Sequence, residues 1–146
     1  MTADLFRSLA PRVSDWFVLD QARVQAFADV TEDWQFIHLD PEKAAQTPFG
    51  GTVAHGFLTL SMLSAMSYQI MPEVPGVRAS VNYGFDRIRF VSPVRVGSRI
   101  RGSFTVAHVE EGEGHLNVSW DVIVEIEGKD RPALAAQWIT RLQLED

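Results

Sequence analysis

The sequence contains no cysteine, which excludes disulfide bonds, cysteine-ligated metal sites and thiolate nucleophiles. It also lacks an excess of positive charge, since 13 Lys and Arg stand against 19 Asp and Glu, for a net charge of −6. No wide positive field is available to attract a phosphate backbone, so we expect no nucleic acid partner. The N-terminal segment has acids and a proline where a secretion signal needs a basic patch and an apolar run, so we expect a cytoplasmic protein.

Long apolar runs are equally scarce. The 29 residues between Lys43 and Glu73 carry no formal charge, a length that superficially fits a membrane span. Proline and glycine break the first third of this stretch, and several polar side chains in the rest would be costly in lipid. We therefore predict a helix of about 15 to 18 residues, from roughly Ala54 to Met71, that is buried in protein.

The remaining composition is typical of an ordinary globular protein. The 146 residues are 46% apolar and 22% charged, values far from those of disordered or fibrous chains. No internal repeat, low-complexity tract or linker marks a boundary. The length and the uniform composition predict one domain over residues 1–146.

Helix signals lie in the first half of the chain and strand signals in the second. Asp20 and Asp40 each precede a helical pattern as N-caps, which predicts short helices over Asp20–Val30 and from Pro41 onward. Residues 33–39 are left as a connecting loop.

After Pro72 the apolar pattern changes to alternation, most clearly in residues 116–127, where every even position is apolar. A sheet with one apolar face and an uncharged helix cover each other if the sheet curls around the helix. The expected fold class is therefore α+β, with the second half of the chain forming an antiparallel meander. We predict its strands over about 78–90, 98–109, 116–127 and 133–142.

Asp33 and His38 are the first candidates for chemistry. Their spacing of five places them on different faces of a helix or a strand, so only a loop would bring them together. With Trp34, Phe36 and Ile37 between them to exclude water, the pair would suit general acid–base work on a water molecule. The alternative is that Asp33 caps a turn and that His38 is solvated or hydrogen-bonded in the core.

A second candidate is the start of the uncharged helix, where the glycines of Pro48–Phe57 lead directly into it. The first turn of a helix presents free N–H groups and a partial positive charge, which polarise a carbonyl and stabilise a developing oxyanion. The alternative is that the glycines only allow close packing, with His55 as a hydrogen-bonding residue at the helix start.

Taken together, these residues resemble a known family, the MaoC-like dehydratases, which include the (R)-specific enoyl-CoA hydratases. The similarity is greatest to the nodulation protein N-like branch and covers essentially the whole chain. The chain differs from the usual motif at Glu32, Gln35 and Phe36, where Gly, Asn and Pro are usual, and this branch tolerates those changes. The resemblance rests on the runs Phe27–Pro41, Gly51–Ser61, Asn82–Gly84 and Phe90–Val94, with Gly97.

The resemblance implies the hot-dog fold, in which an antiparallel sheet wraps a long central helix. It also implies reversible hydration of trans-2-enoyl thioesters to (R)-3-hydroxyacyl thioesters. By position, the catalytic pair falls on Asp33 and His38, and the backbone amide of Gly56 would hold the thioester carbonyl. The supporting residues would be Ser64 on the central helix, Asn82 and His55.

The resemblance also implies the partners. The substrate would be a thioester of CoA or of acyl carrier protein, and no metal or redox cofactor is expected. Hot-dog subunits usually join their sheets edge to edge, so we expect a homodimer.

The two remaining histidines, His108 and His115, flank an acidic hairpin. We interpret them as solvated strand-end residues and not as metal ligands.

Two other functions remain compatible with the sequence. A hot-dog thioesterase would direct water at the carbonyl instead of at C3, and it would release free thiol from a saturated acyl-CoA. A non-catalytic subunit would only bind acyl thioesters, which the presence of both Asp33 and His38 argues against.

Overall fold

A computed structural model describes residues 1–145 of the chain. Short helices and two short strands occupy the first third, followed by one long helix and four long strands. In chain order the elements are α1 (Thr2–Arg7), β1 (Arg12–Val13), β2 (Phe17–Val18), α2 (Gln21–Thr31), α3 (Phe36–Leu39), α4 (Pro41–Ala45), α5 (Gly56–Ile70), β3 (Val77–Phe90), β4 (Arg99–Gly112), β5 (His115–Ile126) and β6 (Leu134–Leu144).

The strands form one antiparallel sheet in the order β1-β4-β5-β6-β3, and β2 also pairs with β4. The predicted meander is confirmed for β4, β5 and β6. It is wrong for β3, which pairs with β6 and so lies at the opposite edge from β4. The segment between β3 and β4 is not a tight turn, because Val91 N–H donates to Ala133 O and Val96 N–H donates to Thr52 O.

The core lies between the sheet and α5. The even-numbered residues of β5 are at most 5% exposed, which confirms the alternation in its sequence. Phe104 of β4 contacts the rings of Trp120 and Trp138, with centroids 6.3 and 6.4 Å away. A Cβ on Gly102 would lie 3.0 Å from Met66 Sδ, so glycine allows β4 to approach the helix closely. The helix contributes Leu63, Met66 and Ile70 to this core.

Helix α5 lies within two residues of the predicted bounds at both ends. Its expected burial holds for one face only, because Phe57 is 67% exposed and Tyr68 is 79% exposed. In the described part of the chain, residues 1–145, no helix is long and apolar enough to cross a membrane.

Both predicted N-caps are confirmed. The carboxylates of Asp20 and Asp40 each accept a hydrogen bond from the backbone N–H three residues on, at 2.8 and 3.0 Å. The predicted loop over residues 33–39 is wrong in its second half, because Phe36–Leu39 form the single turn α3. The Asp40 N–H closes this turn on Phe36 O at 2.9 Å, so the residue that caps α4 also ends α3.

Replacing Asp20 by Ala leaves the N-terminus of α2 without its side-chain acceptor. We expect the free energy of unfolding to fall by about 1 kcal/mol, measured by urea denaturation. Asp20→Asn keeps a capping oxygen and should stay close to the wild type. Equal stability of the Ala variant and the wild type would show that the cap contributes nothing.

Candidate active site

Asp33 lies in a sharply turned loop after α2. Glu32 has a φ of 60°, in the left-handed region, and the Asp33 N–H donates to Ala28 O at 3.1 Å. Left-handed backbone is uncommon for a residue with a Cβ, so the turn at Glu32 is an unusual feature of this loop. It leaves the Asp33 side chain exposed at the edge of the site.

His38 is fixed by the segment that precedes α5. Its ring is buried, and Nδ1 lies 2.6 Å from Val53 O. The Val53 N–H donates back to Ile37 O at 2.9 Å, so the two segments bind each other in both directions. A carbonyl only accepts, so Nδ1 carries the proton and Nε2 of the neutral ring is free to accept one.

His55 contacts both candidate residues, Asp33 and His38. Its Nε2 lies 3.0 Å from the backbone O of Asp33, to which it donates. Its ring stacks on that of His38, with centroids 3.7 Å apart and an interplanar angle of 24°. Although His55 is the N-cap residue of α5, its side chain makes no cap hydrogen bond. It therefore positions the Asp33 loop instead of the helix.

Asp33, His38 and His55 thus converge on one point. Each offers a carboxylate oxygen or ring nitrogen, and these three atoms lie within 4.8 Å of one another. A single water molecule between a carboxylate and an imidazole at this separation would hydrogen-bond to both. Such an arrangement is suited to proton transfer to and from water.

The same three residues are a donor set that a divalent transition metal accepts. In each histidine one ring nitrogen donates to a backbone carbonyl, which leaves the other nitrogen bare. A bare ring nitrogen can either accept a proton or bind a metal. That the site works without a metal remains a prediction.

The protonation state of His38 follows from its surroundings. Burial holds the pKa of its imidazole below the ordinary value of 6.5, and the neighbouring His55 lowers it further. The hydrogen bond to Val53 and the Asp33 carboxylate act in the opposite direction. Because burial is the largest effect, the neutral ring is favoured at neutral pH.

A cavity of about 250 Å³ joins His38 to the start of α5. Gly56 begins the helix, where backbone N–H groups have no partner within the helix. A Cβ on Gly56 would lie 3.1 Å from the Phe90 ring, so a larger residue would crowd this contact. The remaining wall of the cavity includes Ile37, Phe49, Val53, Ala54, Thr59, Val94 and Ala133.

Other predicted residues lie elsewhere. Ser64 and Asn82 line a different cavity, of about 350 Å³, along α5. There, Trp138 Nε1 donates to Asn82 Oδ1 at 3.2 Å. Trp34 is 54% exposed and Phe36 is 42% exposed. In a single copy of the chain, the expectation that these two side chains exclude water from Asp33 and His38 is therefore wrong.

Thr59 is a cavity residue that the sequence analysis missed. It is 2% exposed, and its hydroxyl has no hydrogen-bond partner among residues 1–145. The Nδ1 atom of His55, four residues earlier on the same side of the helix, is also buried without one. The available signal was helical spacing, because Thr59 lies four residues before Leu63 and seven before Met66, on the buried face of α5.

Thr59→Val should stabilise the protein, because it removes a buried hydroxyl without a partner and keeps the shape of the side chain. We expect the free energy of unfolding to rise by about 1 kcal/mol, measured by urea denaturation. Thr140→Val is the matched control and should destabilise, because the Thr140 hydroxyl accepts from Trp120 Nε1 at 3.0 Å. A loss of stability in Thr59→Val comparable to the control would contradict this assignment.

The chain is similar to known proteins over most of its length. Residues 9–127 match the MaoC like domain. Nodulation protein N of Rhizobium leguminosarum bv. viciae is 51% identical over 134 residues, which are 90% of this chain and 83% of that protein. The 3-hydroxyacyl-thioester dehydratase Z of Mycobacterium tuberculosis is 44% identical over 142 residues, 95% of this chain and 93% of that protein.

Solved structures agree as well. The (R)-hydratase from A. caviae superimposes with a TM-score of 0.73 and 26% identity, over 92% of this chain and 97% of that one. The antiparallel sheet and the helix packed against it are the elements that the two share. The chain therefore belongs to the MaoC-like dehydratase family and has the hot-dog fold.

Proposed function

We propose that this protein catalyses the reversible hydration of trans-2-enoyl thioesters to (R)-3-hydroxyacyl thioesters. The observation that carries the proposal is the convergence of Asp33, His38 and His55 within 4.8 Å, next to a cavity that both His38 and Gly56 line. Relatives named 3-hydroxyacyl-thioester dehydratase and (R)-specific enoyl-CoA hydratase support the reaction and its stereochemistry.

In this mechanism, the Asp33 carboxylate and the free Nε2 of His38 bind one water molecule. Nε2 accepts a proton from this water while the water oxygen bonds to C3 of the enoyl group. The C2–C3 π electrons move toward the thioester carbonyl, and the protonated pair then delivers a proton to C2. One water is consumed, and both side chains return to their starting states.

The negative charge that develops on the thioester oxygen is stabilised by the backbone N–H of Gly56. This N–H lies in the first turn of α5, where the helix dipole adds a partial positive charge. Loss of one such donor typically lowers a rate by about 10²–10³. We propose no metal and no redox cofactor, since addition of water to an activated double bond needs only proton transfers.

We propose that the protein forms a homodimer. Strand β3 is the edge of the sheet and pairs only with β6 in the described residues. Its side chains include the exposed Val81, Tyr83 and Phe90, and Phe57 of α5 contacts Phe90. Edge-to-edge pairing of two β3 strands would cover these groups and satisfy the free edge.

Asp33→Asn tests the proposal because it removes the carboxylate with little change of shape. We expect the rate of crotonyl-CoA hydration, followed by loss of enoyl-thioester absorbance, to fall by about 10²–10⁴, and His38→Gln to behave similarly. Asp29→Asn is the control, because within residues 1–145 the Asp29 carboxylate accepts hydrogen bonds from Trp34 and Gln25 alone. Wild-type rates in Asp33→Asn would remove Asp33 from the mechanism.

A free-thiol assay on butyryl-CoA and a binding measurement with crotonyl-CoA separate the other two functions. A hydratase releases no free thiol from butyryl-CoA, so thiol release at the rate of crotonyl-CoA turnover would indicate a thioesterase. Binding of crotonyl-CoA without turnover would indicate a non-catalytic subunit. Incubation with EDTA should leave the hydration rate unchanged, and its loss would contradict the metal-free mechanism.

The pH dependence tests the role of His38 as a base. Because burial lowers the pKa of this imidazole, the neutral, active form persists below the ordinary value. We expect kcat/KM for hydration to be constant near neutral pH and to fall about tenfold per pH unit only below the lowered pKa. An acidic limb with its midpoint above 6.5, the ordinary value of the imidazole, is the contradictory result.

A further inference from the structure

Thr59 is a buried polar residue in the wall of the cavity that His38 and Gly56 line, which we call the catalytic cavity. Its side chain is 2% exposed, and the residues that line the cavity include only two other polar side chains, His38 and Ser92. In the part of the chain that the structure describes, the Thr59 hydroxyl has no hydrogen-bond partner. Because a buried hydroxyl without a partner is unfavourable, Thr59 lowers the stability of the free protein.

The neighbouring backbone explains why this hydroxyl is unpaired. Within a helix, a Ser or Thr hydroxyl can donate to the carbonyl oxygen four residues earlier, as Ser61 does to Phe57 O at 2.7 Å. For Thr59 that acceptor is His55 O, which already accepts from the N–H groups of Leu58 and Thr59, at 3.0 and 3.2 Å. A carbonyl oxygen has two lone pairs, and both are used here. The hydroxyl therefore remains available to a group outside the helix.

Thr59 lies three residues after Gly56, and both residues line the catalytic cavity. Side chains of a helix lean toward its N-terminus, so the Thr59 side chain covers the turn that begins at Gly56. A threonine in a helix adopts two χ1 rotamers, and no hydrogen bond within residues 1–145 holds this hydroxyl in one of them. Rotation about χ1 can therefore turn the hydroxyl toward a ligand atom bound at the Gly56 N–H.

We propose that Thr59 is a further catalytic residue, whose hydroxyl donates a second hydrogen bond to the thioester oxygen, an inference that rests on the proposed function. The Gly56 N–H donates the first. As water adds to C3, negative charge develops on this oxygen, so both hydrogen bonds strengthen toward the transition state. The proton stays on the Thr59 oxygen throughout, and the balance of the reaction is unchanged.

This role links a loss of stability to a gain in rate. The hydroxyl is unpaired in the free protein, and the thioester oxygen supplies its missing acceptor during the reaction. Since this hydrogen bond is strongest in the transition state, it raises kcat more than it lowers KM. A hydroxyl with a purely structural role would instead stabilise the free protein and leave the rate unaffected.

Thr59→Val tests the role on crotonyl-CoA, because it removes the hydroxyl and keeps the shape of the side chain. We expect kcat for hydration to fall about 10²-fold with little change in KM, while the urea midpoint of unfolding rises. Thr59→Ser keeps the hydroxyl and should retain the wild-type kcat. Thr140→Val is the matched control, because Thr140 does not line the catalytic cavity, and it should lose stability and keep the wild-type kcat.

Infrared spectroscopy of bound butyryl-CoA, labelled with carbon-13 at the thioester carbonyl, tests the contact without turnover. A hydrogen bond to a carbonyl oxygen lowers its stretching frequency, so the frequency should rise in Thr59→Val and return to the wild-type value in Thr59→Ser. This result would support the contact even if the wild type did not hydrate crotonyl-CoA, an outcome that contradicts the proposed function alone.

Two outcomes would overturn the role of Thr59 and leave hydration intact. One is that the wild type and Thr59→Val have equal kcat values and equal carbonyl frequencies. The other is that Thr59→Val loses both rate and stability, because the hydroxyl would then support the fold of the free protein.

Discussion

The short contact between His38 Nδ1 and Val53 O, at 2.6 Å, is the interaction on which the site depends. It decides which ring nitrogen carries the proton, and so which one is left to accept a proton in the proposed reaction. It also joins α3 to the segment that leads into α5, because Val53 N–H donates to Ile37 O. His38 and the start of α5 are therefore positioned by the same few residues.

This arrangement follows from the fold, in which the sheet packs against one face of α5. Gly102 lets β4 approach α5 closely, and α5 begins with a turn that lines the cavity and has free N–H groups. The same region contains unfavourable local features, which among residues 1–145 are a left-handed Glu32 and two buried polar atoms without hydrogen-bond partners. Features of this kind concentrate at functional sites, where geometry is selected over stability.

Much of the fold could be predicted because its elements follow from local sequence patterns. Alternation in β5 and the capping residues of α2 and α4 depend on neighbours in the sequence. The partner of β3 could not be predicted, since alternation fixes which face is buried and says nothing about which strand pairs. The single turn α3 is too short for its own periodic signal.

The candidate site, like the fold, could be predicted only in part. Asp33, His38 and Gly56 could be identified from motif and helix position, whereas the contact of His55 with the Asp33 carbonyl joins segments 22 residues apart and has no local signature. Thr59 was missed because α5 carries several hydroxyl side chains, and their sequence does not say which of them is buried without a partner. Ser64 and Asn82 lie together, but in a cavity apart from the catalytic pair.

Nitrogen-15 NMR of the histidine rings tests the central claim most directly, because it reads the proton on each ring nitrogen. At neutral pH, His38 should give the signals of a neutral ring with Nδ1 protonated and Nε2 bare. A ring protonated on Nε2 alone, or on both nitrogens, would leave no lone pair on Nε2 to accept the proton of water and would contradict this account.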